Sequence, residues 1–408
     1  MNQQRIGRIL YGGFAALLVV CFAASRIAAQ APAGFVYVAN CGSVGCPGGV
    51  GTGSVSAYMI EGMTGALTPV PGSPFATGIG PQGVIVDPFG RFVYVANLQS
   101  NSVSAYTIDP ATGALTEIPG SPFAAGGTSP RTVAIDPSGQ FVYVANVTSN
   151  NISAFIIDPT TGGLTPVPGS PFAAGTAPIT LVVQPAGQFV YAANCGSVAC
   201  QGANPGSISA YAIDTTSGAL TEITGSPFVA ATTSVWVTVD PSGQFAYVTN
   251  LRSNNVSAFT VDATTGALSE ITGAPFAAGL DPLGAAVDPA GQFAYVSNCG
   301  NESLGCQASS PGNVSAYTFD AATGALSPIG GSPFAAGTTS GSVTVDPTGQ
   351  FVYVTNRDSN DVSAFAIDAT TGALTPVTGS PFLAGSNPLA VAATAGPPPP
   401  PAAKPPRL

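Results

Sequence analysis

The chain has 408 residues, 45% of them hydrophobic and only 7% charged, with a formal net charge of −10 and no histidine. Five of its nine basic residues lie at the ends (Arg5, Arg8, Arg26, Lys404, Arg407), so Arg91, Arg131, Arg252 and Arg357 alone face all 19 acidic residues. Such a field argues against nucleic acid or an anionic membrane surface as partner.

Residues 1–29 read as a Sec-type signal peptide. Arg5 and Arg8 make a positive region, Ile9 to Ala24 is apolar and short for a bilayer, and Ile27-Ala28-Ala29 offers a small-residue cleavage site. The alternative is an uncleaved anchor. Cleavage would leave a chain without a membrane span in the periplasm, at the cell surface or outside the cell.

From Phe35 onward one pattern recurs seven times. Phe-Val-Tyr-Val-Ala-Asn starts at 35, 92 and 141, with close variants at 189, 245, 293 and 351. Each copy predicts a strand, rich in β-branched and aromatic residues. A polar turn and a second strand follow (Val103-Ser-Ala-Tyr106), then an Asp-x-x-Thr-Gly turn (Asp109 to Gly113) and a short strand ending near Ile118. In four repeats that short strand holds a proline (Pro69, Pro166, Pro328, Pro376), which places it at an outer edge. A Gly-Ser-Pro-Phe loop leads to a nearly continuous apolar run such as Val133-Ala-Ile-Asp136, which suits a strand buried on both faces. Asp136-Pro-Ser-Gly139 and its equivalents then read as type I turns into the next repeat.

Four strands per unit and seven units predict an all-β fold, a seven-bladed β-propeller of four-stranded antiparallel blades over residues 30–396. The chain enters on a second strand and leaves on an innermost-type strand, Pro388 to Thr394. That strand is expected to pair with 35–40 and close the ring, removing exposed sheet edges. Residues 397–408 are Pro-rich and read as a disordered tail.

Six cysteines form local pairs just after Asn40, Asn194 and Asn298, in the longer repeats. In an exported chain they predict the disulfides Cys41–Cys46, Cys195–Cys200 and Cys299–Cys306. The rival reading, metal ligation, lacks a histidine to complete a site, so no metal is expected.

The FVYVxN, VSxYxID, TGxLTPV and DPxG repeats over 35–394 resemble the YVTN-repeat proteins and the seven-bladed lactonase family typified by 6-phosphogluconolactonase. The resemblance implies the propeller fold and an axial pocket where enzymatic members use His, Arg and acidic residues. Where their innermost strand begins with a histidine-bearing segment, this chain has Gly127-Thr-Ser-Pro-Arg131.

Arg131 and Asp281 interrupt otherwise neutral starts of innermost strands; they are the candidate catalytic or ligand-binding charges. Gln82, Thr180, Trp236, Ser342 and Asn387 are read at comparable positions; Gln82, Trp236 and Asn387 join Arg131 and Asp281 as candidate ligand contacts at one mouth of the channel. Asp87, Asp136, Asp240, Asp288 and Asp346 are read as carboxylates that accept N–H bonds within their own turns rather than as a calcium site, and the strand-ending asparagines as turn formers. Two functions remain: an exported binding or scaffolding module, monomeric and without cofactor, for a small molecule, carbohydrate or envelope protein; or a lactone hydrolase.

Overall fold

The computed structural model describes residues 32–42, 52–197, 200, 204–300, 306 and 310–396. The expected signal peptide, the Pro-rich tail and Cys46 lie outside the described residues.

Seven antiparallel sheets form the blades. In blade 3 the innermost strand Pro130–Ile135 pairs with Phe141–Asn146, which pairs with Asn151–Ile157. The outer edge is divided. Leu164–Pro166 covers one half of the third strand and Phe172–Ala173 the other. The segment expected as a Gly-Ser-Pro-Phe loop is thus a turn between two half-strands, and each sheet has five strands rather than four. All seven turns carry a cis X-Pro peptide. The proline-bearing strand does lie at the edge, where its missing N–H leaves no ladder bond unmade.

The ring closes as the sequence predicts: Pro388–Ala395 pairs antiparallel with Gly34–Asn40, with Val391 opposite Val38. Around the axis each innermost strand contacts the next, without a break. Each second strand is buried along its whole length, because its two faces meet two different neighbours. Val142 and Val144 of blade 3 pack with Phe92 and Tyr94 of blade 2, and Val36 and Val38 of blade 1 with Phe351 and Tyr353 of blade 7.

The repeated tyrosine joins the blades. Tyr37 Oη donates to Gly113 O at 3.0 Å and Tyr94 Oη to Gly162 O at 2.8 Å, and the series runs round to Tyr353 Oη on Gly65 O at 3.0 Å. Each acceptor is the glycine closing the Asp-x-x-Thr-Gly-type turn of the next blade, Ser217-Gly218 in blade 4. Burial pushes these phenols above their ordinary pKa.

The strand-ending asparagines are not turn formers. They are fully buried, and the side-chain amide clamps a serine of the third strand: Asn146 Nδ2 to Ser153 Oγ at 2.9 Å, Asn356 Nδ2 to Ser363 Oγ at 2.8 Å. The Asp-Pro turns behave as expected, with Asp136 Oδ1 accepting from Gln140 N and Phe141 N at 2.8 and 2.7 Å.

Candidate functional site

Each innermost strand begins with a short approach at one mouth of the channel. A residue with left-handed backbone comes first: Gly80, Ser129, Ala177, Thr233, Asp281, Thr339 and Asn387. Its carbonyl accepts the N–H just past the clamped asparagine of its sheet, as in Cys299 N to Asp281 O at 3.2 Å and Cys41 N to Asn387 O at 3.0 Å. A proline or serine follows, and then the register slips, as between Pro130 and Thr132. That bulge holds Gln82 in blade 2 and Arg131 in blade 3. A bulge re-aims side chains, and beyond it the strand faces the axis.

The slip separates residues that the sequence reading had treated as comparable. Asp281 and Asn387 occupy the turn, Gln82 and Arg131 the bulge, Ser342 the end of a wider slip between Ser340 and Val343, and Thr180 and Trp236 the strand proper.

The axis holds a cavity of about 370 Å³. Gln82 and Trp236 line it, as do Thr180 and Ser342. Thr238 and Thr344 do too; they lie two residues beyond Trp236 and Ser342 on the same strand face, and strand alternation alone could have found them. Arg131, Asp281 and Asn387 are not among the lining residues, and none of the lining residues is ionisable.

Arg131 is half-buried, and burial lowers its guanidinium from the ordinary value. Among the described residues the ion pairs are Arg91–Asp87 and Arg357–Asp358, both at 2.9 Å. Arg131 and Asp281 do not pair with each other. Asp281 is 2% exposed, and its carboxylate lies within 4.8 Å of the Cys299 and Cys306 sulfurs. Those sulfurs are joined in a disulfide. A thiolate is the metal-binding form of cysteine, so the group is not a metal centre in this oxidised state.

Cys195–Cys200 is also a disulfide, with Cα atoms 5.5 Å apart, and Cys41 is disulfide-bonded. The described cysteines lie beside the starts of the innermost strands. Cys195, Cys299 and Cys306 pack with Ile179, Val235 and Leu251 in one apolar cluster over blades 4–6. Gln82 Nε2 contacts Cys41 Sγ at 3.7 Å. Arg357 donates to the Cys306 carbonyl and so ties blade 7 to the blade 6 loop.

Hydroxyl groups bond neighbouring innermost strands. Thr132 Oγ1 donates to Ile179 O at 3.0 Å and Thr180 Oγ1 to Val235 O at 3.1 Å. From blade 5 onward the second strand takes over this task. Thr249 Oγ1 donates to Leu283 O at 2.8 Å, Ser297 to Gly341 O and Thr355 to Leu389 O. The channel-facing residues of those blades are thereby released from it.

The sequence profile of the family described as "Lactonase, 7-bladed beta-propeller" matches residues 21–122, 121–180, 167–279 and 283–392. The chain belongs to this lactonase propeller family. No curated protein matches it in sequence. Among solved structures it is similar to a 6-phosphogluconolactonase candidate from Bacteroides uniformis, at 19% identity and a TM-score of 0.70, covering 89% of this chain and 100% of that one. It is also similar to the periplasmic gluconolactonase PpgL of Pseudomonas aeruginosa, at 20% identity and a TM-score of 0.67, with the same coverage. A counterpart from Bacteroides fragilis, at 19% and 0.68, covers 89% of this chain and 99% of its own. At these identities the likeness shows the fold that this lactonase-family chain shares with them.

Proposed function

We propose that this lactonase-family propeller is an exported binding module that holds a small uncharged ligand in its axial cavity without hydrolysing it. The observation that carries this reading is the neutral lining of the cavity. Lactone hydrolysis needs a group that activates water and a donor for the developing oxyanion. The cavity wall offers hydroxyls, one amide and one indole, and the chain has no histidine. A phosphorylated sugar would need cations, and Arg131 stands outside the wall. The disulfides support export, since such bonds persist in oxidising compartments.

The second reading, a lactone hydrolase, is favoured by family membership and by the gluconolactonase names of two similar structures. The two separate in one assay. Purified mature protein is expected to open glucono-δ-lactone and its 6-phosphate no faster than buffer. Turnover well above buffer that disappears in Arg131→Ala would overturn the binding reading and make Arg131 the oxyanion or substrate contact.

A further inference from the structure

Building on the reading that the cavity binds without hydrolysing, the wall itself points to a ligand class. Trp236 is the one aromatic residue of the lining, which also includes the small residues Ala285 and Ala286 of blade 6 and Ala390 of blade 1. The indole is anchored, with Nε1 donating to Ala285 O at 2.9 Å. Its polar edge is therefore used, and what remains for a ligand is flat apolar surface.

Two hydroxyls of the same lining are in the opposite condition. Ser342 is 4% exposed and lines the cavity. Its backbone N–H bonds Thr355 Oγ1 at 3.0 Å, but its own hydroxyl makes no hydrogen bond with any described residue. The same holds for Thr238, two residues along the strand from Trp236. Thr180, by contrast, is committed to Val235 O. Both hydroxyls open on the cavity and are not among the buried unpartnered atoms, so a ligand hydroxyl can take the place of water on each.

We propose that the cavity takes one neutral pyranose ring, its C–H face on the Trp236 indole and its edge hydroxyls on Ser342 and Thr238. The volume is at the small end for ligand sites, which suits a single ring. The uncharged wall selects against sugar acids and sugar phosphates, which would leave a charge buried and unpaired.

Trp236 is the only tryptophan of the chain, so its emission reports this site alone. Full-length mature protein is titrated with methyl glucopyranosides, methyl galactopyranosides and methyl mannopyranosides, with gluconate and glucose 6-phosphate alongside. At least one neutral glycoside is expected to shift the emission saturably, and the two anions are not. Ser342→Ala is expected to weaken that glycoside by about 5- to 10-fold, the loss of one hydrogen bond, with an unchanged melting midpoint. Trp236→Phe, whose binding is followed by calorimetry, is expected to bind more weakly while remaining folded. If no glycoside shifts the emission while a hydroxyl-free ring such as indole binds, the carbohydrate assignment is overturned and the binding reading stands. Binding of the anions in preference to the glycosides would overturn it as well. Turnover of a lactone would instead remove the non-catalytic reading.

Discussion

Gly65 shows what joins one blade to the next. It has a φ of +73°, and a Cβ placed there would stand 2.2 Å from Phe351 Cδ1 of blade 7. Its carbonyl accepts the Tyr353 hydroxyl at 3.0 Å. Gly65→Ala therefore forces an L-residue into left-handed backbone, at about 1–2 kcal/mol. It also overpacks the interface, at roughly 1–3 kcal/mol, and endangers a buried hydrogen bond worth about 1 kcal/mol. The expected loss is ~3–6 kcal/mol. Gly273→Ala is the control: its φ is +91°, but nothing lies within 4 Å of the added Cβ, so only the backbone contribution of about 1–2 kcal/mol applies. Urea unfolding followed by far-UV circular dichroism, with the slope checked for constancy, measures both. Equal losses would refute the claim that the Thr-Gly glycine is dictated by the neighbouring blade's phenylalanine.

Other expectations follow from the same geometry. Ser340→Ala removes the 2.9 Å bond from Ser340 Oγ to Asn356 Oδ1 but leaves Gly337 N on that oxygen; a loss of about 1 kcal/mol is expected in the same unfolding assay. Stability should fall at alkaline pH. The interblade tyrosines have folded pKa values raised by burial, so their contribution is intact below the unfolded value of about 10 and is lost as pH rises toward the folded values. Unfolding midpoints from pH 8 to 11 test this, and Tyr353→Phe should flatten the slope. Deleting residues 386–395 removes the strand that pairs with Gly34–Asn40 and should abolish cooperative unfolding; a truncated chain of unchanged midpoint would refute the role of that strand in closing the ring.

Much of the blade was legible because its cues are local. Burial on both faces leaves a run such as Phe-Val-Tyr-Val, and Pro166 marks an edge strand. Ring closure followed from the strand type at each end of the repeat. The divided outer edge was not legible, since Phe172–Ala173 is too short to carry a periodic pattern. Nor was the clamp: asparagine favours turns in general, and only the serine of the paired strand shows why Asn146 is buried. At the site, a one-residue bulge set Arg131 and Gln82 apart from Trp236. A bulge changes which face every later residue presents, and nothing in Gly127-Thr-Ser-Pro-Arg131 announces it.

The repeat keeps the backbone close to sevenfold, so function should be sought where the side chains depart from it. In blades 3 and 4 the channel-facing threonines, Thr132 and Thr180, bond the next strand's carbonyl and are consumed by that role. In blades 5, 6 and 7 a hydroxyl on the second strand does this instead: Thr249, Ser297 and Thr355 stand where blades 1–4 have Ala39, Ala96, Ala145 and Ala193. Blades 1 and 2 carry neither hydroxyl, with Ala390 opposite Ala39 and Gly83 opposite Ala96. What stands at the channel-facing positions of blades 5, 6 and 7 is Trp236, Gly284 and Ser342: an anchored aromatic surface, a glycine whose Cβ would stand 3.0 Å from both Ser297 Oγ and Val343 N, and a serine whose hydroxyl bonds no described residue. On the binding reading proposed above, the transfer of this structural hydroxyl to the second strand in three consecutive blades leaves Trp236 and Ser342 available to a ligand in the axial cavity.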